Sequence, residues 1–169
     1  MQKLWIDHVV WTRNYIVSAA SGSEDQQITL ARLLKNQQDI GDAVKPFYGD
    51  AAGNKLAELL KEHILLAGKL LDAVKGGHEA EAKKYDKEWH RNADDLAKLL
   101  SSANPYWSQK ELQSMLYTHL QFVTDAVTAR LKKDWPADVT AFDKGEAHIV
   151  KFADVLAKGL FQQFPQKFQ

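Results

Sequence analysis

Apolar side chains along this chain recur at steps of three and four residues with charged ones between them, the period of an amphipathic helix rather than a strand. The clearest run is Leu56, Leu59, Leu60, His63, Ala67, Leu70 and Val74, which share one side of a 3.6-residue turn. Lys55, Glu58, Glu62, Lys69 and Asp72 occupy the other faces, so this helix needs a partner to cover its apolar side. Leu, Ala, Lys and Glu dominate the stretch, and all are good helix formers. A histidine stands in the apolar stripe, so His63 is expected to point into the core.

The same periodicity extends over the rest of the chain and predicts about six helices. The first covers about residues 2 to 20, with Trp5, His8, Val9, Thr12, Ile16 and Ala19 inward, and Ser21-Gly22 ends it. Ser23-Glu24-Asp25-Gln26 reads as a capping box opening a second helix to about residue 44, with Leu30, Leu33, Gln37, Ile40 and Val44 inward. Lys45-Pro46 is expected to stop that helix and Tyr48-Gly49 to turn the chain, so that Asp50 caps the third. Gly76-Gly77 ends the third helix. The fourth, about 79 to 101, turns Tyr85, Trp89, Asn92, Ala93, Leu96 and Leu100 inward. A second capping box, Ser108-Gln109-Lys110-Glu111, opens the fifth, which carries Leu112, Met115, Leu116, His119, Phe122, Val123 and Val127. Pro136 suits the first turn of the sixth, which presents Phe142, Glu146, Ile149, Phe152, Ala153, Leu156 and Leu160 before Pro165.

Histidines mark an internal echo. His8 and His63 are 55 residues apart, His63 and His119 are 56 apart, and each opens a helix–turn–helix unit. The second helices align as well: Asn36-Gln37-Gln38-Asp39-Ile40-Gly41 with Asn92-Ala93-Asp94-Asp95-Leu96-Ala97, and more loosely with Phe152-Ala153-Asp154-Val155-Leu156-Ala157, which lacks the Asn. A period of this length predicts stacked helical hairpins. The expected architecture is therefore all-α: one domain over 1–169, three hairpins in an up-down bundle with pseudo-repeats, and the histidines converging at its centre.

Composition narrows the function classes. The 169 residues suffice for one buried core, and 45% apolar with 26% charged residues is ordinary for a soluble globular protein. Lys plus Arg balances Asp plus Glu at 22 each, so the electrostatic footprint of a nucleic-acid binder is missing. With no cysteine, disulfides, thiolate nucleophiles and Cys-held zinc or iron–sulfur sites are excluded. No apolar run reaches the ~20 residues of a membrane span. The first residues are not a signal peptide and enter a helix abruptly, as a mature form with an added Met would.

Three chemistries compete for the inward polar residues. Buried imidazoles require hydrogen-bond partners, and Asn36, Asp39, Asn92, Asp95, Asp154, Thr12 and Thr124 could supply them in a purely structural network. The sharper reading is a site for a divalent transition metal (Zn, Fe, Cu or Ni) or a small polar ligand. His8, His63 and His119 would be metal ligands with Glu146 joining, and Asn36, Asp39, Trp89, Asn92 and Asp95 would line the site. The third is catalysis, with a buried Glu146 of raised pKa and the core histidines as acid and base. No recognised motif supports a reaction: there is no His pair four apart, Glu-x-x-His, Gly-x-Ser-x-Gly, Gly-x-Gly-x-x-Gly, Walker loop or Asp-x-Asp. His78, His90 and His148 are expected nearer the surface. Trp11, Tyr15, Trp89, Phe122 and Phe152 read as core, and Trp107 and Trp135 as covers over helix ends.

Several stretches together resemble a family of small helical proteins from Gram-positive bacteria. They are His8-Val9-Val10-Trp11-Thr12-Arg13, Asp25-Gln26, the run from Arg32 to Ile40, the run from Trp89 to Asp95, and Gln163-Phe164-Pro165. Its members frequently carry the designation glycosyltransferase or acetylglucosaminyltransferase, and some are made with a secretion signal. The resemblance implies a secreted or cell-envelope protein after signal removal; otherwise the chain would be cytoplasmic. It brings no catalytic residue with it, and the residue-level reading is of a non-catalytic binding or structural protein.

Overall fold

The computed structural model describes residues 1–168 and contains five α-helices and one short 3-10 turn, with no strand among the described residues. The helices are α1 (Gln2–Ser21), α2 (Gln26–Lys75), α3 (Glu79–Ala103), α4 (Gln109–Leu131) and α5 (Trp135–Gln163). Each packs against its neighbours in the chain, and α5 returns to α1, so the helices close into a ring around the core. None of them is long and apolar enough to cross a membrane.

About six helices were expected and five helical elements are present, because the stop expected at Lys45-Pro46 does not occur there and the chain turns at Gly49 within one of them, in the expected Tyr48-Gly49 turn. Pro46 lies inside α2, and the only non-helical backbone in that helix is at Gly49 (φ 82°, ψ 170°). That conformation is open essentially to glycine alone. It breaks α2 into two arms, and the arms fold back on each other. A methyl group on Gly41 would meet the Gly53 carbonyl oxygen at 2.6 Å and the Ala57 Cβ at 2.7 Å. Asp50 consequently caps nothing and is exposed within the second arm.

The helix starts show how local side chains choose between partners. At α4 the capping box forms as expected on the serine side, with Ser108 Oγ accepting from the Glu111 amide at 3.3 Å. At α2 it does not: Asp25 is the N-cap residue without a side-chain cap bond, because its carboxylate accepts from the Ser18 hydroxyl of α1 instead. At α5 Asp134 Oδ1 accepts from the Ala137 amide at 3.1 Å, and Pro136 fits the first turn as expected.

The core fills the ring. Trp5, Ile40, Leu60, Trp89, Leu96, Leu112, Leu120, Ile149 and Phe152 are each at most 4% exposed, as the stripes of the sequence require. Full burial of each such side chain contributes roughly 1.5–3 kcal/mol. Trp107 is buried over Gly159, where a methyl would meet its Nε1 at 2.0 Å; Trp135 is half exposed beneath Arg130.

One ionic knot pins the first, fourth and fifth helices. Asp138, 1% exposed in the first turn of α5, accepts from Arg13 at 2.7 and 3.1 Å and from Arg130 at 2.9 Å. Burial by itself would raise the Asp138 pKa, but the hydrogen bonds and charges of the two guanidinium groups outweigh it and hold the carboxyl below its ordinary value.

Candidate functional site

His8, His63 and His119 come from α1, the second arm of α2 and α4, and each is 3% exposed. They converge on His119. The His119 ring centroid lies 5.6 Å from that of His8 and 5.9 Å from that of His63, so the convergence read from the spacing is present in the fold. Trp89 backs the cluster with its ring 5.3 Å from His63, and Trp5 stands 5.8 Å from His8.

The helix that follows each imidazole bonds to the turn that precedes it. Asn92 on α3 donates Nδ2 to the Leu59 carbonyl at 3.0 Å and to Glu62 Oε2 at 3.1 Å, which turns its Oδ1 toward His63 Nδ1 at 2.9 Å. With the amide so oriented, Asn92 Oδ1 accepts and His63 Nδ1 carries the proton, which leaves Nε2 with a free lone pair. Asn36 on the first arm of α2 donates to the Leu4 carbonyl at 2.9 Å, the equivalent position four residues before His8. In the third case His148 on α5 donates Nε2 to the Met115 carbonyl at 2.8 Å, again four residues before the cluster histidine. His148 is thus half-buried and engaged, where the sequence reading put it near the surface.

The imidazoles are neutral at pH 7. Burial lowers the His8 pKa to about 3, helped by repulsion from His63 and opposed by Asn36. Burial lowers that of His63 to about 4, opposed by the Asn92 bond. His119 falls well below its ordinary value through burial and through repulsion from His8, His63 and His148. The network is not fully closed: His119 Nδ1 is buried without a hydrogen-bond partner, while His8 Nδ1 and Asn36 Oδ1 stand near each other short of a hydrogen bond of normal geometry. Buried polar atoms in that state call for water, an ion or a ligand.

Comparison of the chain with known protein families, with curated proteins and with solved structures finds no match.

Two small cavities of about 30 Å³ each meet at His119. The first lies among α1, α2, α3 and α4 and is lined by all three histidines, Thr12 and Trp89. The second lies among α1, α4 and α5, between Arg13, Phe142, Asp138 and Glu146. Such volumes hold a water or two or a single ion, and neither would take a sugar without rearrangement.

Other expected site residues do not reach the centre. Asp39 pairs with Lys35 on its own helix, and Asp95 is exposed, because a carboxylate loses far more than an amide on leaving water. Glu146 borders the second cavity but is only half-buried, so the full burial required for its acid–base role is missing. Among the described residues no three His, Asp or Glu side chains already stand close enough to enclose a metal ion. With metal–nitrogen bonds of 2.0–2.1 Å, three imidazole centroids would lie about 5 Å apart. The observed 5.6 and 5.9 Å both exceed that, so the rings would have to draw together around an ion.

Proposed function

We propose that this chain is a non-catalytic binding protein that holds one divalent transition-metal ion at the centre of its bundle. The ligands would be His63 Nε2 and one ring nitrogen each of His8 and His119. The observation that carries the reading is the convergence of three buried imidazoles, with His119 Nδ1 lacking a protein partner, on one ion-sized cavity. Neutral imidazole is the form that ligates metal. The backing of His63 by Asn92, itself anchored to Glu62, is the outer-shell support that fixes tautomer and ring orientation in metal sites.

In this reading one hairpin design was used three times. Asn36, Asn92 and His148 follow one another at equal steps of 56 residues, and each bonds to the carbonyl four residues before a cluster histidine. The third hairpin is then aligned on His148 rather than on Phe152. The family resemblance supplies the proposed location, the cell envelope.

The test is metal content after refolding. Protein unfolded in denaturant and refolded with excess zinc, then freed of loose metal by gel filtration, is expected to retain one zinc per chain. His63→Ala and His119→Ala should each lose it while keeping their helical circular dichroism. A purely structural network predicts no retained zinc in the parent protein and only a fall in melting temperature in the variants.

A further inference from the structure

Residues 1–48, which form α1 and the first arm of α2, join the rest of the bundle through Gly49. That glycine is the one residue of the 50-residue α2 off the helical conformation, and Pro46 is already accommodated inside the helix. Rotation at this single position would make the two arms one straight rod of about 75 Å. The contacts between the arms are symmetric about the same point. A methyl on Gly41 would meet Gly53 and Ala57, and one on Gly53 would meet Lys45. The midpoints of these pairs fall at residues 47 and 49. Two straight α2 helices crossing antiparallel at that level would therefore set Gly41 of one copy against Gly53 of the other, the pairing already made within the hairpin.

We propose that this chain pairs with a second copy of itself by exchanging residues 1–48, with Gly49 as the hinge, so that each histidine cluster draws on both copies. The exchanged piece carries His8 and Arg13, while His63, His119 and Asp138 stay with the body of the chain. The bonds between the two parts are remade between copies, among them Gln2 with Asp154 at 2.7 Å, Arg13 with Asp138 at 2.7 Å and Lys75 with the Ala19 carbonyl at 2.8 Å. Bonds inside each part are untouched: Asn36 with the Leu4 carbonyl in the one, Asn92 with His63 in the other. The exchanged dimer thus keeps the monomer's contacts and differs at the hinge, and a short hinge is the setting in which exchange occurs. Glycine at 49 favours the bent form, because it takes the positive φ freely and is a poor helix former. Alanine reverses both preferences, and its methyl meets nothing within 4 Å. Dilution closes each chain on itself, and concentration drives the exchange.

The test is size-exclusion chromatography of metal-free protein refolded at high concentration, so that its outcome is separate from that of the zinc experiment. The parent protein is expected to give a minor dimer fraction beside the monomer, and Gly49→Ala to raise the dimer-to-monomer ratio about tenfold or more. Cross-linking then shows which chain supplies each part. The chain has no cysteine, and Gln2→Cys with Asp154→Cys puts one thiol on each part, at exposed positions whose side chains touch. A short bismaleimide should join the two thiols within one chain in the monomer fraction and between two chains in the dimer fraction, where a denaturing gel shows a covalent dimer. Dimers cross-linked only within chains overturn the exchange. So does Gly49→Ala protein that refolds with its helical spectrum and stays monomeric at every concentration. Should Gly49→Ala not refold, the same cross-link on the parent protein decides, and absence of a covalent dimer there overturns the proposal.

Discussion

At the residue scale, the histidine cluster is held neutral by its surroundings, and this has a sign that can be checked. The ordinary histidine pKa is 6.5, which the unfolded chain retains, whereas in the folded protein His8 and His63 fall to about 3 and about 4 and His119 well below 6.5. Below pH 6.5 the unfolded chain therefore binds more protons, so the stability held by the neutral imidazoles is complete above that pH. It is lost as the pH falls toward about 4 and then about 3. Each such group removes about 1.4 kcal/mol per pH unit across the window. For metal-free protein, urea denaturation midpoints should fall steeply between pH 6.5 and pH 4, and His119→Gln should cut the slope by about a third. A profile that is level through this interval would show that the imidazoles already carry charge in the folded state. The inward direction of the three histidines was legible because each occupies a position in an apolar stripe. His148 was legible too, four residues before Phe152 and three after Gly145, but the alignment of the third hairpin on Phe152 concealed it. Asp39 and Asp95 were misplaced for a reason of energy rather than geometry. They lie beside inward asparagines on the helix, but a charged group that can reach water or a lysine stays there.

At the element scale, the turn within α2 decides how its two arms meet. Proline was taken as the stop signal, yet Pro46 and Asp42, whose carbonyl it leaves without an amide, are both exposed, so water can serve the freed oxygen. The positive φ of Gly49 is what turns the chain, and only a glycine announces it. Gly49→Ala should cost about 1–3 kcal/mol even though a methyl there meets nothing within 4 Å, because the strain is in the backbone itself. Gly41→Ala should cost a similar amount for the opposite reason: its backbone is helical, but its methyl would collide with Gly53 and Ala57 of the facing arm. Denaturant titration of the two variants checks this. If Gly41→Ala were neutral, the close approach of the arms would be wrong, and with it the account of how His63 is brought opposite His8.

At the scale of the whole molecule, the sequence pattern conveyed a helical ring and a polar centre because period 3.6 and a recurrent histidine are both local signals. It could not convey the cavities or the unpaired nitrogen, which arise only when residues more than a hundred positions apart meet. His8 with His119 and Arg13 with Asp138 are such pairs. The knot at Asp138 and the contacts from Asn36, Asn92 and His148 tie successive helices around the cluster, so its three imidazoles stand on a rigid frame. The most direct test of the central claim is an anomalous-scattering map from crystals of protein refolded with cobalt, recorded at the cobalt edge. The account predicts one strong peak per chain inside the bundle, within about 2.0–2.2 Å of a ring nitrogen of each of His8, His63 and His119. A map whose only peaks lie at surface histidines such as His78 or His90, or with none at all, would contradict it.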